Sequence, residues 1–444
     1  MHRTWRGLGV GVLVVTLMSM GGTAATAASN EAPKGTEIGV SPTAVHIAVM
    51  ADVDNQFAPG LFKGVVDGVK GAATYLNTKA GGGGVGGRKI LVDFIDSHLD
   101  ANAARNGVIT ACGKDLALVG TTALFLTTVD DEVNCRDQAG ATTGLPDLAG
   151  VATGVPESCS PVAFPVNAVQ LVCSTKDQHP QTYHGNQGDT KYLLSKHKND
   201  LHGALIASND TPDANRGGEV LLDTVQKAGI KADQDVTRGG RDQQTAYTSI
   251  IQQMKTDNSN YSLMVLAANS AIELRSEAQI QGLTDPNIVW ECTTACYDNS
   301  LKQNASVMEG EYVPVSYLPF EEAGENKMLD TFLEYVGKNN ADGFSVYGWE
   351  AGIAFAQAAR AAVAKNGVNG LTRKTLLDGI KTLTHFDAGG MVAAVNIPDK
   401  VPSACFALLQ FRSGKFVRVY PAKKGTFDCK PSNEIEVKAD LIKT

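Results

Sequence analysis

The chain predicts an α/β fold of two lobes, each built on a parallel sheet with helices on both faces, and three observations carry that prediction. Short apolar runs of strand length alternate with longer runs whose apolar residues recur at helical spacing. The alternation occurs twice, over residues 44–148 and 201–291, on either side of a stretch at 150–185 with two cysteines, four prolines and little periodicity. The composition is that of a globular protein large enough for more than one domain: 444 residues, 43% hydrophobic and 19% charged. A formal net charge of −8 opposes a general nucleic-acid binder, which needs a basic surface. No stretch after residue 30 is apolar for long enough to span a bilayer.

Each element follows in order. Residues 44–50 (AVHIAVM) read as a buried strand, and 61–76 as a helix with Leu61, Phe62, Val65, Val66, Val69 and Leu76 on one stripe. Residues 89–96 (KILVDFID) form a strand, 101–112 a helix, 116–120 a strand, 124–138 a helix and 142–148 a strand. In the second block, 201–208, 262–268 and 287–291 are strands, with helices at 216–228, 247–255 and 272–281. Helices at 326–336, 347–365 and 372–381 come next. The strands 404–411 and 415–420 close on Arg412-Ser413-Gly414 as a hairpin.

The amino end has the build of an export signal. Arg3 and Arg6 precede an apolar run at 8–20, and Ala25-Thr26-Ala27 offers a cleavage site. Residues 1–28 are therefore a signal peptide, and 29–42, small and polar, a mobile leader. No cysteine follows the apolar run, so the usual lipoprotein anchor is absent. The protein is expected outside the cytoplasmic membrane, secreted or periplasmic. All eight cysteines lie beyond the signal, an even number that suits four disulfides in an oxidising compartment. Sequential pairing closes the shortest loops: Cys112–Cys135, Cys159–Cys173, Cys292–Cys296 and Cys405–Cys429.

Catalytic, cofactor and metal motifs are not found. The glycines of 81–87 leave a helix and open a strand, the reverse of a phosphate loop, and read as a helix stop followed by a tight turn. Gly343-Phe344-Ser345-Val346-Tyr347 lacks the last glycine of a nucleophile elbow. Asp177, His179 and His184 have no third firm ligand, and Cys292 and Cys296 have no second pair, so neither group reads as a metal site. The expectation is no enzyme, no cofactor and no metal. Binding is favoured instead, because ligands in parallel α/β sheets sit beyond the carboxyl ends of the strands. Gly120-Thr121-Thr122-Ala123-Leu124 lies at such an end, where an ordinary helix cap is an equal reading.

Taken together, five stretches resemble the type I periplasmic binding proteins, the branched-chain amino acid class of solute receptors for ABC importers. They are VHIAVMADVDNQFAPGLFKGVVDGVKGAATYLN, GGGGVGGRKILVDFIDS, ALVGTTALF, AYTSIIQQMKTDNSNYSLMVLAAN and GFSVYGWEAGIAFAQAARAAV, and the resemblance covers about residues 42–420. It implies two Rossmann-like lobes joined by three hinge crossovers, with 43–160 plus 311–388 as lobe 1 and 161–310 plus 389–436 as lobe 2. It also implies a monomer that captures an amino acid, amide or related small organic solute and hands it to a membrane permease. A ligand-sensing module of the same fold, without transport, is the alternative. By matching stretches, Phe57 is a cleft aromatic, and Thr122, Ala123, Leu124 and Phe125 grip a ligand carboxylate. Asp147 lies on the next strand-end loop, Asn269 and Glu291 face an amino group from the second lobe, and Trp349 is the late-helix aromatic. By residue type alone, Trp349 serves equally as a core tryptophan. Ala123-Leu124-Phe125 is more apolar than the family's hydroxyl pair, which widens the ligand class to less polar solutes. Amino-terminal sequencing of the secreted protein should start near residue 29. Recovery of a chain that still carries the apolar run would overturn the cleavage.

Overall fold

The computed structural model describes residues 31–56, 59–152, 154–167, 171–174, 179–237, 239 and 242–437. The export signal and Phe57 lie outside them. Strand β1 (Ala44–Ala51) is buried at seven of its eight positions, as a central parallel strand requires. It pairs in parallel with β2 (Lys89–Asp96) on one side and β3 (Ala117–Val119) on the other, and β3 pairs with the two-residue β4 (Asp147–Leu148). The first sheet thus runs β2-β1-β3-β4. A small antiparallel sheet follows, with β5 (Leu171–Cys173) and β6 (Pro180–Asn186). The second lobe holds β7 (His202–Ser208), β8 (Lys231–Thr237), β9 (Tyr261–Val265), β10 (Val289–Cys292), β11 (Tyr312–Val315), β12 (Ala407–Arg412) and β13 (Lys415–Tyr420). Their order is β13-β12-β11-β10-β9-β7-β8, parallel from β8 to β11 and antiparallel beyond. The last strand, β14 (Glu434–Val437), returns to pair with β6.

Local chemistry explains several helix starts. Asp100 accepts from the Ala103 amide at 2.8 Å and starts the helix Ala101–Lys114. Asp342 caps Gly343–Asn366, with the Ser345 hydroxyl accepting the return bond from the Asp342 amide. The hairpin turn between β12 and β13 has Ser413 and Gly414 both at positive φ, 49° and 76°, the twist that suits a two-residue loop.

Some expectations change. Residues 124–138 hold only the short helix Asp130–Val133, because the Leu124 amide is bonded elsewhere and Cys135 is tied back to Cys112. Strand β8 reads KADQDVT, an edge sequence too polar to show an apolar pattern. β11 pairs in the larger sheet, so the chain returns to the first lobe after Val315 and not at 311. The segment expected to be a mobile leader makes specific contacts from Lys34 onward. The buried Arg88 donates to the carbonyls of Lys34, Ser41 and Val368, and the buried Glu37 carboxylate accepts from the Gln138 amide at 2.8 Å.

Three crossovers join the lobes. The first follows Ala163, which still pairs with Asp147, and Val166, whose amide reaches the Ala149 carbonyl. The second and third run side by side as an antiparallel ribbon, with Tyr317 opposite Val392. The four disulfides are the sequential pairs. Cys159–Cys173 spans the first crossover, and Lys400 on the third crossover donates to the carbonyls of Ser158 and Ser160.

The first lobe is closed by helix against helix. Gly64, Gly68, Gly348 and Gly352 let Lys63–Leu76 and Gly343–Asn366 meet nearly backbone to backbone. A Cβ on Gly68 would stand 2.1 Å from the Ser345 carbonyl oxygen, and one on Gly348 would stand 2.0 Å from that of Val65. Gly348→Leu should therefore force the helices apart and destabilise the protein by about 3 kcal/mol. Urea denaturation checks it; an unchanged midpoint would show that the pair is not packed this way.

Candidate functional site

A cavity of about 350 Å³ lies between the lobes, beyond the carboxyl ends of β1, β9 and β10. The first lobe contributes Pro59, Gly60 and Leu61 from the loop after β1, and Asp342 and Phe344 from the start of Gly343–Asn366. The second lobe contributes residues 267–270 at the start of the helix Ala268–Ile280, with Asp242, Glu273, Ala295 and Asp298. Phe344 is held edge-on against Phe62 at 5.0 Å between ring centroids.

Two electrostatic features meet there. Four carboxyl side chains line the cavity, and among the described residues no lysine, arginine or histidine does. Asp342 is pushed up to about 6, first by burial, with Asp298 and Asp67 adding to it and the Ser345 amide opposing. The second feature is the start of Ala268–Ile280, which no side chain caps. Its first-turn amides and the positive end of its dipole face the cavity beside Asn269. The site thus offers a short run of positive backbone character within an acidic wall.

Of the residues singled out in the sequence, Asn269 lines this cavity. Phe57 lies outside the described residues. Thr122 and Ala123 are buried in the first lobe, Leu124 and Phe125 half-buried, and none of the four lines the cavity. The turn's Leu124 amide donates to Asp52 at 2.8 Å, and that fully buried carboxylate also accepts from Ser97 and the Leu99 amide. The protein's own carboxylate therefore takes an amide expected to hold a ligand. Asp147 is fully buried under the sheet, accepting from Thr121 at 2.9 Å and raised to about 7 by burial. Glu291 is buried against a second cavity, of about 270 Å³, behind the hinge. It accepts from the Tyr261 hydroxyl at 2.7 Å, and burial and then Asp189 raise it well above the carboxylate range. Trp349 does not reach the cleft. It is fully buried between Tyr75, stacked at 5.7 Å, and Phe332. Five residues separate it from Phe344, which turns it to the far side of the same helix.

Sequence reasoning missed Phe344, Asp342, Asp298, Glu273 and the 59–61 loop. The signal for the first two was present in Asp342-Gly343-Phe344-Ser345, an N-cap sequence that fixes where the helix starts and which aromatic stands at its mouth.

Two lobes, three crossovers and a cavity between strand ends define a hinged solute binder. The family model described as periplasmic binding protein matches residues 44–415, and the chain belongs to that family. No curated protein sequence matches it. Among solved structures, it is similar to a fatty acid ABC transporter substrate-binding protein from Thermomonospora curvata (TM-score 0.64, 16% identity, 89% of this chain and 98% of that one). It is also similar to a leucine binding protein from Thermotoga maritima (0.62, 13%, 84% and 97%) and to a solute binding protein from R. palustris in complex with benzoate (0.59, 16%, 86% and 99%). No helix among the described residues is long and apolar enough to cross a membrane.

The buried carboxyl groups set a pH dependence. Asp342 and Asp189 are raised to about 6, and Asp147 to about 7, each first by burial. A raised acid binds its proton more tightly when folded. Its contribution is complete below the unfolded value near 4 and is lost as pH rises through 6 to 7. The melting temperature should fall between pH 5 and 7.5, and Asp342→Asn, which keeps the helix cap, should make the fall shallower. A melting temperature that climbs over this range would contradict the burial of these groups.

Proposed function

We propose that the protein captures a small solute carrying a positively charged nitrogen, in the manner of an amino acid or a related amine, and delivers it to an ABC permease. The carrying observation is the wall of the interlobe cavity: Asp242, Glu273, Asp298 and Asp342 face it, with no cationic side chain among the described residues. An ammonium group finds charge-assisted acceptors there. A carboxylate on the same solute finds the uncapped amides at Asn269 and Ser270. Leu61 and Phe344 cover the apolar remainder. The ligands named for the relatives, a fatty acid, leucine and benzoate, differ in this respect, and only leucine carries an amine.

The mechanism is closure. A solute that touches Asp342 in one lobe and Asp298 and Asn269 in the other binds the closed form better than the open one and shifts the population toward it. The closed form is what a permease would recognise. On this reading binding proceeds without turnover.

Native mass spectrometry of protein purified without denaturation, followed by melting curves with the solute it retains, tests this reading. Ammonium-bearing solutes should raise the melting temperature, while benzoate and fatty acids should not. Asp298→Asn and Glu273→Gln should each weaken binding about tenfold, the loss of one hydrogen bond to a charged group. Preferential stabilisation by benzoate, with these variants unaffected, would reject the ligand class.

A further inference from the structure

We propose that His46, Asp93 and Asp115 form a binding site for a divalent cation of the zinc class, on the first lobe and away from the cleft. Ala48 on β1 is the register partner of Asp93 on β2, so His46, two residues earlier, projects from the same sheet face. Asp115 reaches that face from the link between Ala101–Lys114 and β3, where the Leu116 amide bonds the His46 carbonyl at 2.9 Å. The three donor atoms lie within 4.8 Å of one another. His46 Nδ1 and Asp93 Oδ2 are 3.2 Å apart. Two tetrahedral ligands at zinc distances stand about 3.3 Å apart.

A second observation is independent of that clustering. Asp115 is fully buried, and neither carboxylate oxygen receives a hydrogen bond from any described residue. A buried carboxyl group with no such donor is costly when charged, so it either shares a proton with the neighbouring Asp93 carboxyl or takes up a cation between the two. The nearby Arg373 acts on it through its charge but makes no hydrogen bond to it, because its Nη groups are committed to the carbonyls of Cys112, Asp115 and Arg136. Lys114 pairs with the cluster from outside, its Nζ 3.2 Å from the other oxygen of Asp93. Its side chain is 58% exposed and can swing into solvent.

The donor set selects the metal class. One imidazole and two carboxylates, with a fourth position open to water, suit zinc; magnesium and calcium favour oxygen alone. His46 and Asp93 are each about one-third exposed, at 35% and 30%, which provides an entry path.

The experiment strips the purified protein with EDTA, dialyses it and titrates Zn²⁺ alone by calorimetry, with metal content measured in parallel. One equivalent should bind, and Mg²⁺ at the same concentration should not replace it. His46→Gln and Asp93→Asn, both at partly exposed positions, should weaken binding at least about tenfold while circular dichroism stays unchanged. Lys114→Gln should tighten it, because a competing charge is gone. His98→Ala should leave it unaltered, although His98 also stands beside a carboxylate, that of Asp96 at 3.5 Å. Absence of stoichiometric uptake would overturn the site. So would His46→Gln and Asp93→Asn binding like wild type, or Mg²⁺ binding as well as zinc.

Discussion

The contact on which the rest of this structure depends is the near backbone-to-backbone packing of Lys63–Leu76 on Gly343–Asn366. The two helices are separated by most of the second lobe in sequence, yet together they make one wall of the first lobe. The crossing is possible because Gly64, Gly68, Gly348 and Gly352 leave room that any Cβ would fill. Gly64 matters most for the cleft: a Cβ there would stand 2.3 Å from the Asp342 carboxylate. Through that one missing atom, the cap of the late helix, the loop after β1 and Phe344 come together at the mouth of the cavity. A larger residue at position 64 would push the cap off the loop and alter the site without touching any ligand.

Carboxyl groups lie inside this protein as well as on its surface. Asp52, Asp147, Glu132, Glu291 and Glu350 are all buried. Asp52 is satisfied by two amides and a hydroxyl and fixes the strand-end turns of the first lobe. Glu291 shares its cavity with Asp189, and burial favours the neutral form of both. The acidic cleft differs from these interior groups in facing solvent and a backbone helix end.

Much of the fold was legible because its signals are local. Parallel strands such as β1 and β2 are apolar runs of fixed length, several helix starts carry Asp or Thr, and short-loop cysteine pairing follows from chain entropy. Elements whose stability comes from elsewhere were not legible. β8 is an edge strand with a polar sequence, and 124–138 failed as a helix because Asp52, far away in sequence, takes its first amide. The site was read less well than the fold. Asn269, named through the family resemblance, lies on the wall of the cavity. Trp349 was named as the late-helix aromatic and Phe344 was missed; both sit on one helix, and only the exact start of that helix decides which ring faces the gap. The loop at 59–61 has no chemical signature; its place in the cleft is a consequence of chain topology.

The bond between Cys159 and Cys173 encloses the first crossover. A protease that cut the chain anywhere between these two cysteines would not sever that connection. The fragments would stay fastened on both sides of the hinge, and the lobes would still be linked at three places. The arrangement makes the first of the three links redundant, so a nick there leaves the lobes covalently joined.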